Sequence, residues 1–415
     1  MKKRKILVIG TTEKMGGAAG VSWKIAENLR QEDFWIRHMV GYKKDLSNYV
    51  YQFKQPKIIQ KIDSYTRFNV VSHVRLLRSY ILANDISFGV TDELLQHPWY
   101  KQANIIHFHN LHGSFFNLKK LEDISRDKSV VWTLHDMWSF TGHCTHSYSC
   151  DRWKKGCGNC PNLKISKPVA WDNTASILKM KEEIYQNSKL NIVVPSQWLY
   201  KKLDNSILSN QPRHLIHNGV NTNIFTSVKS RNAKEQLQLP INKKIILFVA
   251  HGGKSNTFKG GKYLDILTKA YKSNSEIFFV CIGAKRKKTL QENNIIYLPY
   301  IKKSKNLSLY FSASDLFLFT SQAENFPLVL LEALSGGIPI LCFGVGGVPE
   351  IIEHKVNGYI SKRNNETDLL KGANYLLNMK QERLLSMRKN NRKKAIKHFS
   401  VEKMVNLYKK LYEQI

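Results

Sequence analysis

Two carboxylates have the types and the spacing to bind a polyhydroxylated ligand. Glu324 lies in the polar stretch Ser321-Gln322-Ala323-Glu324-Asn325-Phe326, directly after the apolar run Asp315–Thr320. Glu332 follows beyond Pro327, inside the apolar stretch Leu328–Ser335. A helix opening on Pro327, where proline is best tolerated, sets both carboxylates past the end of the preceding strand. Ligands of parallel sheets bind there, and the free N–H groups of a helix start suit a diphosphate. The two carboxylates would then accept hydrogen bonds from ribose and hexose hydroxyls. On spacing alone a plainer reading is favoured, in which Glu324 complements the helix dipole and Glu332 is a solvated face residue.

A cation stands in a matching place. The run Lys244–Ala250 leads to His251-Gly252-Gly253 and then to Phe258-Lys259-Gly260-Gly261 before helical spacing resumes. A lysine beside glycines and opposite a diphosphate compensates its charge and eases departure of the leaving group. In the first half, Met15-Gly16-Gly17-Ala18-Ala19-Gly20 follows the first apolar run, and glycines there let backbone approach a phosphate or an acceptor. No G-x-G-x-x-G is present, which counts against a dehydrogenase. Histidines gather at His107, His109, His112 and His135, each near the end of an apolar run. Four of the six cysteines fall at Cys144, Cys150, Cys157 and Cys160. Four thiolates satisfy the tetrahedral preference of zinc; a structural zinc, reduced thiols and an iron–sulfur cluster stay open, with zinc ahead and no catalytic role.

The elements that position these residues repeat one rhythm. Short apolar runs bounded by turn residues cover Lys5–Gly10, Ile36–Gly41, Asn104–His109, Ser129–His135 and Asn191–Pro195. A second series covers Lys244–Ala250, Glu276–Gly283, Ile295–Pro299, Asp315–Thr320 and Ile338–Phe343. Such runs alternating with helices imply parallel sheets covered on both faces, so the fold class is α/β with two doubly wound domains. Pro, Asn and Gly cluster at Pro212–Asn223, where the boundary is expected. Ser400–Ile415 reads as one amphipathic helix with Val401, Met404, Val405, Leu407, Tyr408 and Leu411 apolar.

Length and composition agree with this. A chain of 415 residues exceeds one ordinary core, and 42% hydrophobic content argues against disorder. No apolar run is long enough to span a bilayer, and Ile6–Ile9 after the basic start reads as a buried strand rather than a signal core. The protein is therefore expected in the cytoplasm. Lys and Arg total 64 against 32 Asp and Glu, a net charge of +32, which favours an anionic partner such as nucleic acid or a membrane leaflet. Segment 42–83 concentrates basic and aromatic residues, and Val74-Arg75-Leu76-Leu77-Arg78-Ser79-Tyr80-Ile81 has apolar positions at helical spacing. It suits either a membrane surface or packing on its own domain.

The stretch from Ala323 to Leu334, with Gly336-Gly337-Ile338-Pro339-Ile340 and Gly346-Gly347-Val348-Pro349-Glu350-Ile351-Ile352, resembles the signature of GT-B retaining glycosyltransferases of family four. The resemblance implies two Rossmann-like domains facing a cleft. These are an acceptor domain at 1–215 with a Cys-rich insertion at 141–161, a nucleotide-sugar domain at 216–398, and a helix at 399–415 crossing back to the first domain. It implies catalytic roles for His135, Lys259 and Glu324, with Glu324 on the donor sugar and Lys259 on the diphosphate. Donor contacts fall to Gly17, Lys254, Asn325, Phe326, Pro327 and Glu332, the last holding the ribose. Lys254 stands where the family often carries an arginine. The cysteine cluster resembles an insertion of a polysaccharide-building subgroup.

The reaction so implied moves a hexose from a nucleotide diphosphate sugar to an envelope glycan or a polyprenyl-linked acceptor in bacterial surface polysaccharide or lipopolysaccharide synthesis. The anomeric configuration is retained. No cofactor is required for catalysis, since no Asp-x-Asp motif is present. The enzyme is expected at the inner face of the cytoplasmic membrane, on an anionic surface and without nucleic acid. Two other readings are a GT-B nucleotide-sugar epimerase or hydrolase and, more distantly, a basic nucleic-acid-binding protein.

Overall fold

The computed structural model describes residues 4–32, 34–43, 47–54, 70–87, 91–165, 168–226, 230–285 and 288–415. The chain divides into two compact units, Met1–His217 with Val405–Ile415, and Asn218–Met404.

The sheet of the first unit contains β1 (Lys5–Thr12), β2 (Trp35–Tyr42), β3 (Val50–Gln52), β4 (Ile105–Phe108), β5 (Ser129–Thr133), β6 (Asn191–Val194) and β7 (Arg213–Leu215). They lie in the order β3-β2-β1-β4-β5-β6-β7, all parallel. The sheet of the second unit contains β8 (Lys244–Val249), β9 (Ile277–Ile282), β10 (Leu290–Glu292), β11 (Ile295–Leu298), β12 (Leu316–Phe319), β13 (Ile340–Phe343) and β14 (Tyr359–Ser361). Their order is β10-β11-β9-β8-β12-β13-β14, with only β10 antiparallel among the described strands. Both sheets reverse their strand order once, between β1 and β4 and between β8 and β12. This is the doubly wound arrangement expected from the apolar runs.

Burial explains why those runs became strands. Every residue of β4, β9, β12 and β13 is buried, as strands covered on both faces must be. The second core joins Ile246, Phe279, Leu318 and Leu341 of the sheet to Leu330 and Leu334 of the helix Leu328–Ser335. The first joins Leu7, Ile106, Val130, Trp132 and Ile192.

The structure adds elements the sequence did not reveal and corrects one residue's placement. The strands β3, β7, β10 and β14 carried no legible signal: each is three residues long, and most of their positions are only partly covered. The C-terminal helix runs Val401–Gln414, and its apolar stripe is Val401, Met404, Val405, Tyr408, Leu411 and Tyr412. Leu407, expected in that stripe, falls at its edge and is 37% exposed. Within segment 42–83 the described parts hold β3 and a helix Val70–Leu82. The positions 44–46 and 55–69, including Lys44, Lys57, Lys61 and Arg67, lie outside the described residues, as does the side chain of Arg75.

Candidate functional site

The loops that follow β8 and β12 leave the second sheet side by side at its switch point, where open α/β sheets bind ligands. Lys259 comes from the first loop and Glu324 from the second, and Lys259 Nζ lies 2.5 Å from Glu324 Oε1. The Glu324 side chain is 12% exposed and that of Lys259 37%. An ion pair this open adds roughly 0–1 kcal/mol to stability, so its value lies in holding a cation and an acceptor at the mouth of the crevice.

Backbone packing fixes that geometry. The Gln322 N–H donates to the Phe258 carbonyl at 2.8 Å, joining the two loops. Gly260 has a φ of 73°, and a Cβ on it would stand 2.0 Å from the Thr320 carbonyl oxygen. Thr320 Oγ1 returns a hydrogen bond to the Gly260 carbonyl at 3.0 Å. Asn256 Oδ1 accepts from the Lys259 N–H at 3.1 Å, while its Nδ2 donates to the His251 carbonyl at 2.8 Å. Beneath Glu324, Gly346 has a φ of 56° and leaves no room for a Cβ, which would fall 1.7 Å from the Glu324 carbonyl oxygen. The Gly347 N–H donates to the Asn325 carbonyl at 2.9 Å. Asn256, Thr320 and Gly346 thus position the pair. Asn256 and Thr320 carry no pattern visible in sequence; Gly346 was visible as a turn glycine without its purpose.

Asn325 and Phe326 bridge Glu324 to the helix Leu328–Ser335. Phe326 is buried against Phe399, with ring centroids 5.6 Å apart, and its carbonyl accepts from Asn218 Nδ2 at 2.8 Å. Pro327 does not occupy the first helical position as expected. It is the cap, with φ −73° and ψ 124°, because its extended ψ turns the chain out of the Phe326 anchor before the helix starts. Glu332 sits on this helix, half-buried. Lys254 turns away from the pair: its Nζ lies 3.2 Å from the Tyr297 hydroxyl and 3.8 Å from Asp265 Oδ1. The Tyr297 contact raises its pKa above the usual lysine value.

In the first unit, Gly17 begins the helix Gly17–Gln31 after Gly16, whose φ is 90°. A Cβ on Gly17 would meet nothing within 4 Å. The histidines form three hydrogen-bonded sets at and after the ends of β4 and β5. His109 Nδ1 and His135 Nε2 are 2.8 Å apart with their rings stacked. His107 is bonded through Nε2 to Thr133 Oγ1 at 2.8 Å and through Nδ1 to the Tyr412 hydroxyl at 2.7 Å. Both of its nitrogens are occupied, so His107 is structural. His112 Nε2 meets Asp136 Oδ2 at 3.0 Å, and Asp136 Oδ1 accepts the Trp138 N–H at 2.9 Å.

Burial lowers the His135 pKa to about 4, against an opposing pull from Asp136, and that of His107 to about 3. For Asp136, burial acts upward, but His112 and the Trp138 N–H hold it net below the usual carboxylate range. Near neutral pH His135 is therefore a neutral imidazole, able to donate or accept a hydrogen bond but carrying no charge.

Cys144, Cys150, Cys157 and Cys160 are free thiols lining one small pocket with His143 and Trp153. Cys160 Sγ lies 3.5 Å from His143 Nε2. The chemistry of this donor set suits zinc, but its geometry does not. Among the described residues no three His, Cys, Asp or Glu side chains are gathered closely enough to hold a metal ion. Burial pushes the Cys144 thiol up to about 11 in the absence of a cation. As placed, the four thiols share one pocket without being drawn into a tetrahedral ligand set. Lys181, fully buried, donates to the Trp138 and Thr141 carbonyls at 2.6 and 2.9 Å and ties the start of this insertion to its unit.

Residues 229–394 match the family model for Glycosyl transferases group 1, and this stretch is a domain of that family. The chain is similar to the Escherichia coli (strain K12) protein WcaC, named as a glycosyl transferase of colanic acid biosynthesis, with 25% identity over 81% of this chain and 82% of that one. It is 32% identical over 101 residues, 24% of this chain and 25% of the other, to an Escherichia coli UDP-Gal:alpha-D-GlcNAc-diphosphoundecaprenol alpha-1,3-galactosyltransferase. Among solved structures, Anabaena HepE in complex with UDP and glucose superimposes with a TM-score of 0.67 at 16% identity, covering 99% of this chain and 100% of that one. Sucrose-phosphate synthase from Thermosynechococcus elongatus gives 0.68 at 14% identity and 99% of both chains. At such identities the structures establish the fold, which is GT-B. No helix among the described residues is long and apolar enough to cross a membrane.

Proposed function

We propose that this protein is a retaining glycosyltransferase that moves a hexose from a nucleotide diphosphate sugar to a hydroxyl of an envelope glycan or lipid-linked saccharide. The observation that carries the reading is the Lys259–Glu324 pair across the β8/β12 switch point. Lys259 offers its ammonium to the diphosphate, and Glu324 steadies that ammonium while accepting from hydroxyls of the donor sugar. Glu332, on the following helix, takes the ribose hydroxyls, and the N–H groups at the start of that helix face the phosphates.

In the reaction the bond between the anomeric carbon and the phosphate oxygen breaks. The acceptor oxygen bonds to the same face, and its proton passes to the departing phosphate. Negative charge grows on the leaving group, where a fixed cation acts most strongly. The relatives named for colanic acid synthesis and for a diphosphoundecaprenol-linked acceptor support a surface-glycan acceptor here.

A panel of nucleotide sugars tested by thermal shift, followed by NMR of the product anomer with the stabilising donor, tests the reading. One donor should raise the melting midpoint by mass action and yield product of unchanged configuration. Absence of stabilisation by every nucleotide sugar would remove the donor site, and an inverted anomer would remove retention. Release of free sugar from donor alone, at a rate that added acceptor leaves unchanged, would point to a hydrolase instead.

A further inference from the structure

The helix Val70–Leu82 ends on an apolar tip that the protein does not cover. Leu76, Leu77, Tyr80, Ile81 and Leu82 are each between 43% and 57% exposed, and Trp171 beside them is 51% exposed. An amphipathic helix packed on its own domain would hide one side of this set. Here neighbouring positions on several sides of the helix are all open, so the expected packing of an apolar stripe on the domain is not what residues 76–82 do. A contiguous exposed apolar patch of this kind marks a contact surface.

The polar groups around this tip are unusually well provided for. The last carbonyls of a helix normally need water. The Tyr80 carbonyl instead accepts from the Ala83 N–H at 3.3 Å and the Ala170 N–H at 2.9 Å, and the Ser79 carbonyl accepts from the Asn84 N–H at 3.2 Å. The Ile81 carbonyl accepts from the indole N–H of Trp171 at 3.0 Å, and the Ala83 carbonyl from Asn173 Nδ2 at 3.4 Å. The indole is thereby relieved of its own donor. A helix end with the Ser79, Tyr80 and Ile81 carbonyls satisfied within the protein enters a medium poor in water at reduced cost, which is the condition a bilayer sets. Two aromatic rings at the rim and the exposed Arg78 match the interfacial layer of an anionic membrane. The net charge of +32 acts in the same direction.

We infer that the tip formed by Leu76–Leu82 and Trp171 is a membrane-inserting element, seated in the interfacial layer of an anionic bilayer. The full chain should co-sediment with phosphatidylcholine vesicles containing phosphatidylglycerol, and less so at high salt. Leu77→Asp with Ile81→Asp should reduce binding at least tenfold while leaving the melting midpoint unchanged, since neither side chain is buried. Brominated lipids should quench the fluorescence of the wild type, and the quenching should fall in Trp171→Phe. Equal vesicle binding by the double variant would overturn the proposal, as would no binding to any vesicle. So would a concentration-dependent dimer abolished by the same two substitutions, which would make the tip a contact between copies of this chain.

Discussion

At the residue scale, the Lys259–Glu324 contact separates chemistry from stability. Lys259 is too exposed for its ion pair to matter much to folding. Lys259→Ala should therefore shift the melting midpoint by no more than a degree or two, yet slow transfer by roughly 100-fold or more, the scale seen when a group stabilising developing charge is lost. Glu332→Ala should act differently, weakening the complex with the nucleotide by about 1–3 kcal/mol, the cost of leaving buried hydroxyls unpaired. Steady-state kinetics and calorimetric titration of both variants with the stabilising donor separate the two effects. A Lys259→Ala enzyme with normal turnover would show that the cation is ornamental. Lys254, engaged with Tyr297 and Asp265, should not substitute for it.

At the element scale, the loops that hold the pair accept only glycine at a few points, and Gly346 there and Gly17 in the first unit give opposite forecasts. A Cβ at Gly346 meets the Glu324 carbonyl oxygen at 1.7 Å from a left-handed backbone. Gly346→Ala should cost about 1–3 kcal/mol of strain and displace Glu324, so donor affinity falls together with stability. Gly17 has open space and an ordinary φ, so Gly17→Ala should fold normally. Any loss of activity it shows would come from blocking a ligand, and unchanged activity would withdraw Gly17 from the site. Melting curves beside donor titrations read both. The sequence made the sheets legible because strands such as β9 are apolar at every position, and it made Glu324 and Glu332 legible because they flank a proline turn. It left β3, β7, β10 and β14 silent because three residues cannot display a period. It also left Asn256 and Thr320 silent, since polar residues that brace a backbone look like any loop residue. The cysteines were legible as a cluster, and the fold does bring all four to one pocket, although spacing along the chain could not show how their sulfurs are arranged there.

At the scale of the whole molecule, the chain's last helix completes the first unit, and this ties that unit's stability to pH. Tyr408 and Tyr412 are buried there, one bonded to Thr133 and the other to His107. Burial depresses the pKa values of His38 and His107 to about 3 and that of His135 to about 4, and it holds His109 well below the usual value. A group whose folded pKa is depressed binds fewer protons when folded than when unfolded. Stability is therefore fully present above about pH 6.5 and is lost as pH falls toward those folded values. At pH 5 His38, His107 and His135 should each have withdrawn about 2 kcal/mol relative to neutral pH. All eight tryptophans lie at or before Trp198, so indole fluorescence follows the first unit alone. Denaturant melts read this way should show a marked loss of stability between pH 7.5 and pH 5. His107→Gln should start lower at pH 7.5, through its poorer bonds to Thr133 and Tyr412, but lose about 2 kcal/mol less on acidification. An identical drop in wild type and variant would mean that His107 is protonated in the folded unit. The contact between Nδ1 and the Tyr412 hydroxyl would then be one in which the imidazolium donates.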